Sequence, residues 1–455
     1  MRRIRFTAIL IAHRLGAAAS APLRHVLAAL GALLLLFAPY AHAREMLVLT
    51  APPVLAGKFH ILDDIAKAHG WRVRHVFADR LTGEENAQLF EGADLVLLDI
   101  PYDPVVEAVE RKVGPALKEA RVPWLKVQTE RYQAHGLDDA DAQQLWRYYG
   151  NGGKRNFDNL FRYLEARVFA HADTAVAPPT LFPKSGVYHP DFEGTVFESV
   201  ADYFAWKKVD PQSRPPVIAF ALHQHYIASD LTHFIDHTIR AIEARGAIPL
   251  AFYVPMEEDK AFESMLMTDD GKPLADALIN SQIMLRSDLR RVEFERLGIP
   301  VIQAMPYRRG DVGEWTKDAA GVHLMDVPFY LAQSEFAGVM DAMTAAATRK
   351  ADGQIVAIPD QVEAVVGKAL NLVTLQRTRN ADKRVALFFW NYPAGETNLG
   401  ASYLNVPRSL ETTLAALKAA GYTTEASQEP ELIGNLQQLL APYYRDDRLD
   451  ALLRS

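Results

Sequence analysis

The feature that most constrains this chain is a recurrence: short apolar runs alternate with stretches whose apolar residues fall at helical spacing. Met46–Thr50, the alternating Trp71–Phe77, the run Ala93–Ile100 and Trp124–Val127 read as strands. Between them, residues 59–68 place Ile61, Leu62, Ile65 and Ala66 on one helical face, and 104–120 also read as a helix. Residues 139–170 are helical in pattern, 176–192 form a Pro- and Gly-rich connection, and 193–208 are a further helical stretch. The rhythm restarts at Val217–Leu222, with a helix over about 230–245 closed by Gly246 and a strand at Pro249–Val254. Ile299–Ala304, Gln354–Ile358 and a helix over 360–377 continue it. A third start comes at Arg384–Trp390, before a polar loop and a helix over about 407–420 that ends at Gly421. Strands alternating with helices pair in parallel and are covered on both faces. The expected fold class is therefore α/β: successive open parallel-sheet, Rossmann-like units with helices on both faces.

The first 43 residues stand apart. They hold five arginines and no acid, then an apolar run from Val26 to Ala38, then Ala41-His42-Ala43. A basic leader, a short apolar run and a small-x-small site predict a signal peptide over 1–43 and an exported, periplasmic protein. The apolar run is short beside the roughly 20 residues that span a bilayer. The alternative is an inner-membrane anchor made by residues 26–38. The remaining expected domains are an N-terminal α/β head at 44–213, a second α/β domain at 214–380 and the start of a further one at 381–455. Ser213-Arg214-Pro215-Pro216 marks the break between the first two.

Without the leader, the formal charge falls from -7 to -12 because five arginines leave with it. So acidic a chain does not suit a polyphosphate backbone, and nucleic acid is not an expected partner. There is no cysteine, which excludes disulfides and thiolate metal sites.

Four segments carry candidate chemistry. His223-Gln224-His225-Tyr226 follows a strand, where ligands of open α/β sheets sit. If the tip stays extended, both imidazoles face the same way, as proton acceptors or ligands; one structural and one solvated histidine is the plainer alternative. Trp390-Asn391-Tyr392-Pro393 through Asn398-Leu399-Gly400 to Pro407 offers neutral donor-acceptors and glycines before a helix, and an ordinary strand-to-helix loop fits equally. Tyr149 to Asn156 is glycine-rich with Lys154 and Arg155, but it fails the G-x-x-x-x-G-K-[ST] spacing, and no such match occurs anywhere. The expectation is no ATP site in this chain. Tyr188-His189-Pro190-Asp191 sets a histidine beside an aromatic ring, as a flat ligand would need, or as a buried structural histidine would.

Four blocks, in order, resemble the large subunits of CobN-type cobaltochelatase and of magnesium chelatase. They are Gly152-Gly153 with Asn156, Asn159, Leu160, Tyr163 and Leu164; Gly186-Val187-Tyr188-His189-Pro190 with Phe197 and Trp206; Asp326-Val327-Pro328 with Glu335, Phe336, Ala337 and Gly338; and Asn391-Tyr392-Pro393 to Asn398-Leu399-Gly400 and Val406-Pro407-Arg408-Ser409-Leu410. Ala394, Ser334 and Asn405 depart from the family pattern of proline, proline and aspartate. Family members are several times longer, so the resemblance is to an N-terminal, truncated portion. It implies a tetrapyrrole (porphyrin or corrin) macrocycle as ligand, and a divalent metal as substrate: cobalt or magnesium, with iron as a further candidate, inserted or removed. It also implies AAA+ ATPase and companion chelatase subunits, which would hydrolyse the ATP. An exported form adds envelope uptake proteins as possible partners. On this reading His189, His223 and His225 are the catalytic proton acceptors. Asn391, Tyr392, Asn398 and Tyr188 are the substrate-binding residues, and the metal ligands are unknown. The alternatives are a non-catalytic periplasmic tetrapyrrole-uptake protein, or a generic α/β binder of sugars or nucleotides.

Overall fold

The structure is a computed structural model that describes residues 43–454 apart from 52–53, 79–80, 82–86, 101–102, 128–131, 171–173, 210–214 and 446–447. Residues 1–42 of the expected leader lie outside the described residues, as do Ser213 and Arg214 of the expected break at 213–216. No helix among the described residues is long and apolar enough to cross a membrane.

The chain forms two compact units. The first comprises Met1–Val54, Phe59–Gly150 and Lys154–Pro179; the second comprises Leu55–Lys58, Asn151–Gly153 and Thr180–Ser455. In the first, strands β1 (Arg44–Thr50), β2 (Trp71–Phe77), β3 (Leu95–Asp99), β4 (Trp124–Lys126) and β5 (Gln133–His135) form one sheet in the order β2-β1-β3-β4-β5. All pairs are parallel except β4 with β5. Successive residues of β1 face opposite cores. Met46 and Val48 join Phe59 and Leu62 of α1 (Ala56–Ala68) and Tyr148 and Tyr149 of α3 (Asp139–Asn151). Leu47 and Leu49 join Val109 and Val113 of α2 (Asp103–Ala120). A strand buried on both faces has no polar alternation, which is why the run reads as continuous apolar sequence. Helix α4 (Gly153–Tyr163) completes the first of these cores with Phe157 and Phe161.

The second unit holds an eight-stranded sheet. Its parallel centre is β12 (Met340–Thr348), β11 (Val301–Tyr307), β10 (Ala277–Asn280), β8 (Val217–Ala221) and β9 (Ile248–Tyr253), in that order. Antiparallel strands close both edges: β13 (Ile355–Ala357) on β12, and β6 (Gly186–Tyr188) with β7 (Val196–Phe197) on β9. Ala219 and Ala221 face a core with Phe262 of α8 (Ala261–Leu266) and Phe294 of α9 (Ser287–Leu297). Phe220 points the other way, edge-on to Phe234 of α7 (His233–Ala244). Helix α12 (Pro359–Arg377) packs beside α7 on that face, and the shorter helices α5 (Val200–Lys207), α10 (Val312–Trp315) and α11 (Gln333–Phe336) belong to the same unit.

Two expectations change. Residues 186–207, expected in the head domain, belong to the second unit, where Gly186–Tyr188 pairs with Tyr253–Ala251. Arg384–Trp390, expected as the opening strand of a third domain, is not a strand. An extended segment needs a neighbour for its amides and carbonyls, and no described strand pairs with it. Phe388 is 96% and Trp390 80% exposed. Downstream lies a small hairpin of β14 (Gly400–Ala401) and β15 (Leu404–Asn405), then helices α13 (Val406–Ala419) and α14 (Glu429–Tyr444).

Candidate functional site

In an open α/β sheet a ligand sits beyond the carboxyl ends of the strands, at the crevice where strand order reverses. In the second unit that reversal lies between β8 and β10. The chain runs outward from β8 to β9, then crosses back over β8 to β10. The residue after Leu222 at the end of β8 is His223.

The extended tip expected there does not persist. Gln224–Ala228 form a short helix, α6, with extended His223 as its N-cap. That helical turn, not strand alternation, brings the imidazoles together: the rings of His223 and His225 stack at 5.3 Å and 29°, and Tyr226 lies 4.3 Å from His225. The Ile283 amide, just past β10, donates to His223 Nε2 at 3.1 Å. With Nε2 accepting, a neutral His223 carries its proton on Nδ1. Among the described residues no hydrogen bond engages the ring of His225, whose surface still meets solvent.

A buried amide network holds this floor. Gln282 Nε2 donates to the Leu222 carbonyl at 2.7 Å and to that of Val254 at 3.4 Å. Asn280 Nδ2 donates to Gln303 Oε1 at 2.8 Å, and Gln303 Nε2 to the Gln282 carbonyl at 3.2 Å. The ends of β8, β9, β10 and β11 are thereby tied together.

Arg308 stands just past β11 and forms an ion pair with buried Asp326. Burial depresses His223 well below the usual histidine range, and His225 and Arg308 add to this. Burial also pushes His225 down to about 4, with Lys58 and Arg308 contributing, although one side of the residue stays in contact with water. Tyr226 is raised to about 12, again chiefly by burial. Both imidazoles are therefore neutral at pH 7. Such a site can accept a proton and pass it on without holding it. Arg308 and nearby Tyr330 are not legible as site residues in the sequence, where no local motif surrounds Arg308; Asp326 heads the Asp326-Val327-Pro328 block, but nothing local ties it to a histidine some hundred positions upstream.

The other expected site residues lie apart from this pair. His189 is fully enclosed. Its Nδ1 accepts from the Asp191 amide at 3.2 Å, its Nε2 meets Glu243 at 3.2 Å, and Trp206 covers the ring at 4.9 Å. Tyr188 donates to Asp236 at 2.8 Å. Asn391 donates to the Gly395 carbonyl and to the Tyr444 hydroxyl at the end of α14, and Asn398 to the Pro393 carbonyl, so both brace the loop, Asn391 also tying it to that helix. Tyr392 is exposed. The glycine-rich segment is a joint between α3 and α4 rather than an anion loop. Gly152 adopts φ +63°, and a Cβ there would stand 1.9 Å from the Ala228 carbonyl oxygen at the end of α6. Among the described residues no three carboxylates or imidazoles cluster as metal ligands.

Residues 146–450 match the family described as CobN/Magnesium Chelatase. The large (H) component of the magnesium chelatase of Rhodobacter capsulatus is 26% identical over 319 residues, 64% of this chain and 26% of that protein. The aerobic cobaltochelatase subunit CobN of Pseudomonas aeruginosa is 24% identical over 303 residues, 64% of this chain and 23% of that protein. An uncharacterized protein of Methanocaldococcus jannaschii is 26% identical over 314 residues, covering 64% and 25%. The chain thus spans about a quarter of the length of the curated relatives it matches. The solved catalytic subunit of cobaltochelatase from Mycobacterium tuberculosis superposes with a TM-score of 0.60 at 21% identity, over 89% of this chain and 33% of that one, and so shares its fold.

Proposed function

The chain belongs to the CobN/magnesium chelatase family, and from that premise we propose that it is the tetrapyrrole-binding part of a metal chelatase, with the macrocycle taken at the β8–β10 crevice. The observation that carries this is the stacked His223–His225 pair at the strand reversal, neutral and reached by solvent. Moving a divalent metal into a free-base ring displaces two pyrrole protons, which need acceptors close to the ring centre. A neutral imidazole takes such a proton, and one whose pKa lies below neutrality releases it quickly to water. We assign that role to His223 and His225. His189, locked between Asp191, Glu243 and Trp206, supports the fold beside them.

Cobalt and magnesium are the substrate metals of the named relatives, and either is the proposed substrate here. ATP hydrolysis is assigned to an AAA+ partner with its companion subunits. Export to the periplasm, argued from the arginine-rich leader and Ala41-His42-Ala43, stands as part of the same proposal.

Titration of the purified chain with a free-base porphyrin is the test, and a saturable Soret shift is the expected result. Metal taken up or released over time, reduced in H223A/H225A, supports the proton-acceptor role. Binding without metal movement makes the chain a carrier. A chain blind to every porphyrin and corrin tried overturns the proposal.

A further inference from the structure

Three large apolar side chains stand in solvent on either side of Asp326, the ion-pair partner of Arg308: Leu324 at 79%, Met325 at 68% and Phe329 at 40% exposure. Their position follows from two inward anchors. Asp326, between Met325 and Val327, turns in to the ion pair with Arg308. Tyr330, after Phe329, is buried at 2%. Val327–Ala332 form a single wide π-helical stretch with Pro328 in its first turn, a local departure often found at functional sites. With 326 and 330 facing inward, 324, 325 and 329 are left facing outward. The Phe329 carbonyl accepts from the Met284 amide at 2.9 Å, one residue beyond the Ile283 amide that holds His223. The segment carrying Phe329 and the His223 ring are therefore held by two consecutive backbone amides, those of Met284 and Ile283.

An exposed apolar cluster attached to a polar crevice marks a ligand groove. The occupant must present a broad apolar face to the lip and exchangeable protons to neutral imidazoles. A flat macrocycle with inner N–H groups meets both demands. We infer that Leu324, Met325 and Phe329 form the lip against which one face of the ring lies, holding its centre over His223 and His225. This inference rests on the function proposed above and specifies the ring-contacting residues of that same site.

The experiment uses the full chain, a water-soluble free-base dicarboxylate porphyrin and Soret titration. Three proteins are compared: wild type, the lip variant L324S/M325S/F329S, and a control, V292S/L375S, which removes exposed apolar side chains from α9 and α12. All altered residues are exposed, so far-UV circular dichroism should match throughout. The expected result is affinity lowered about tenfold or more in the lip variant and unchanged in the control. Wild-type affinity in the lip variant overturns the lip while leaving the proposed function standing. Equal losses in lip variant and control show unspecific adsorption and also overturn it. No binding by wild type removes the proposed function and the lip together.

Discussion

Each of the two sheets has a strand reversal, and the two crevices are built in opposite ways. In the first unit the reversal lies between β1 and β3. Thr50 Oγ1 donates to the Asp99 carbonyl at 3.0 Å, and the Tyr149 hydroxyl donates to Asp99 Oδ2 at 2.7 Å. Thr50, Asp99 and Tyr149 are all buried to within 1% of completely. In the second unit the same topological position holds two stacked imidazoles in contact with water, with the proposed lip on the segment that follows β11. Topology alone therefore does not make a site. In the first sheet α3 returns a tyrosine that plugs the space over Asp99 at the end of β3. In the second, a five-residue helix holds its histidines at the mouth, while amides beneath tie the strands together. The first crevice is filled by its own side chains, and the proposed chemistry is assigned to the second.

The largest effect should come from removing the plug. Tyr149→Ala takes away a buried aromatic ring and the hydroxyl partner of a buried carboxylate. Core truncations of this size cost roughly 3–5 kcal/mol. Urea unfolding should show that loss in the first unit, with porphyrin binding retained by the protein that remains folded. Tyr149→Ala that keeps stability but loses the porphyrin would reverse the roles assigned to the two crevices.

Next is the support beneath the histidines. Gln282→Leu keeps the volume but strips two carbonyls, at Leu222 and Val254, of their donor. Leaving buried carbonyls unpaired costs about 1–3 kcal/mol. Because Leu222 precedes His223, ring metallation should fall more than the loss of stability accounts for, measured where both proteins are folded. An unchanged metallation rate would make the network purely structural.

Smaller again is Gly152→Ala. The left-handed φ and the 1.9 Å approach to the Ala228 carbonyl leave no room for a methyl group. Destabilisation above about 1 kcal/mol is expected, together with displaced histidine resonances from α6 in NMR spectra. Unmoved resonances would show that the joint does not set the position of α6.

The sequence revealed the strands that are long, apolar and buried on both faces, such as Arg44–Thr50 and Leu95–Asp99. It concealed Met340–Thr348, which is largely alanine and threonine, and Ala277–Asn280, which is too short to show a period. It overstated Arg384–Trp390, because an apolar run states a preference for burial without supplying a neighbouring strand. The histidine pair could be read from its place after β8, and its stacking could not, since that depends on the helical turn at Gln224–Ala228. Arg308, Asp326 and the outward lip reach the crevice only through β11 and the π-helical turn beyond it, a long-range arrangement that no local pattern encodes.

The pH response separates the crevices most finely. His223 and His225 sit below the ordinary value of 6.5 in the folded chain, His225 at about 4. As pH falls past 6.5, the unfolded chain binds protons that the folded one refuses. Stability is then drawn down progressively toward pH 4 and is fully present only above 6.5. Solvent contact at His225 softens the effect, so it should be the smallest of the series. Other titratable groups also respond to acid, and the informative quantity is the difference between wild type and H225Q. Wild type should lose more stability than H225Q between pH 7 and pH 4.5 by urea unfolding, since glutamine has no proton to take up. Parallel losses would place His225 in bulk-like solvent, and the contrast between a sealed crevice and a tuned one would then rest on His223 alone.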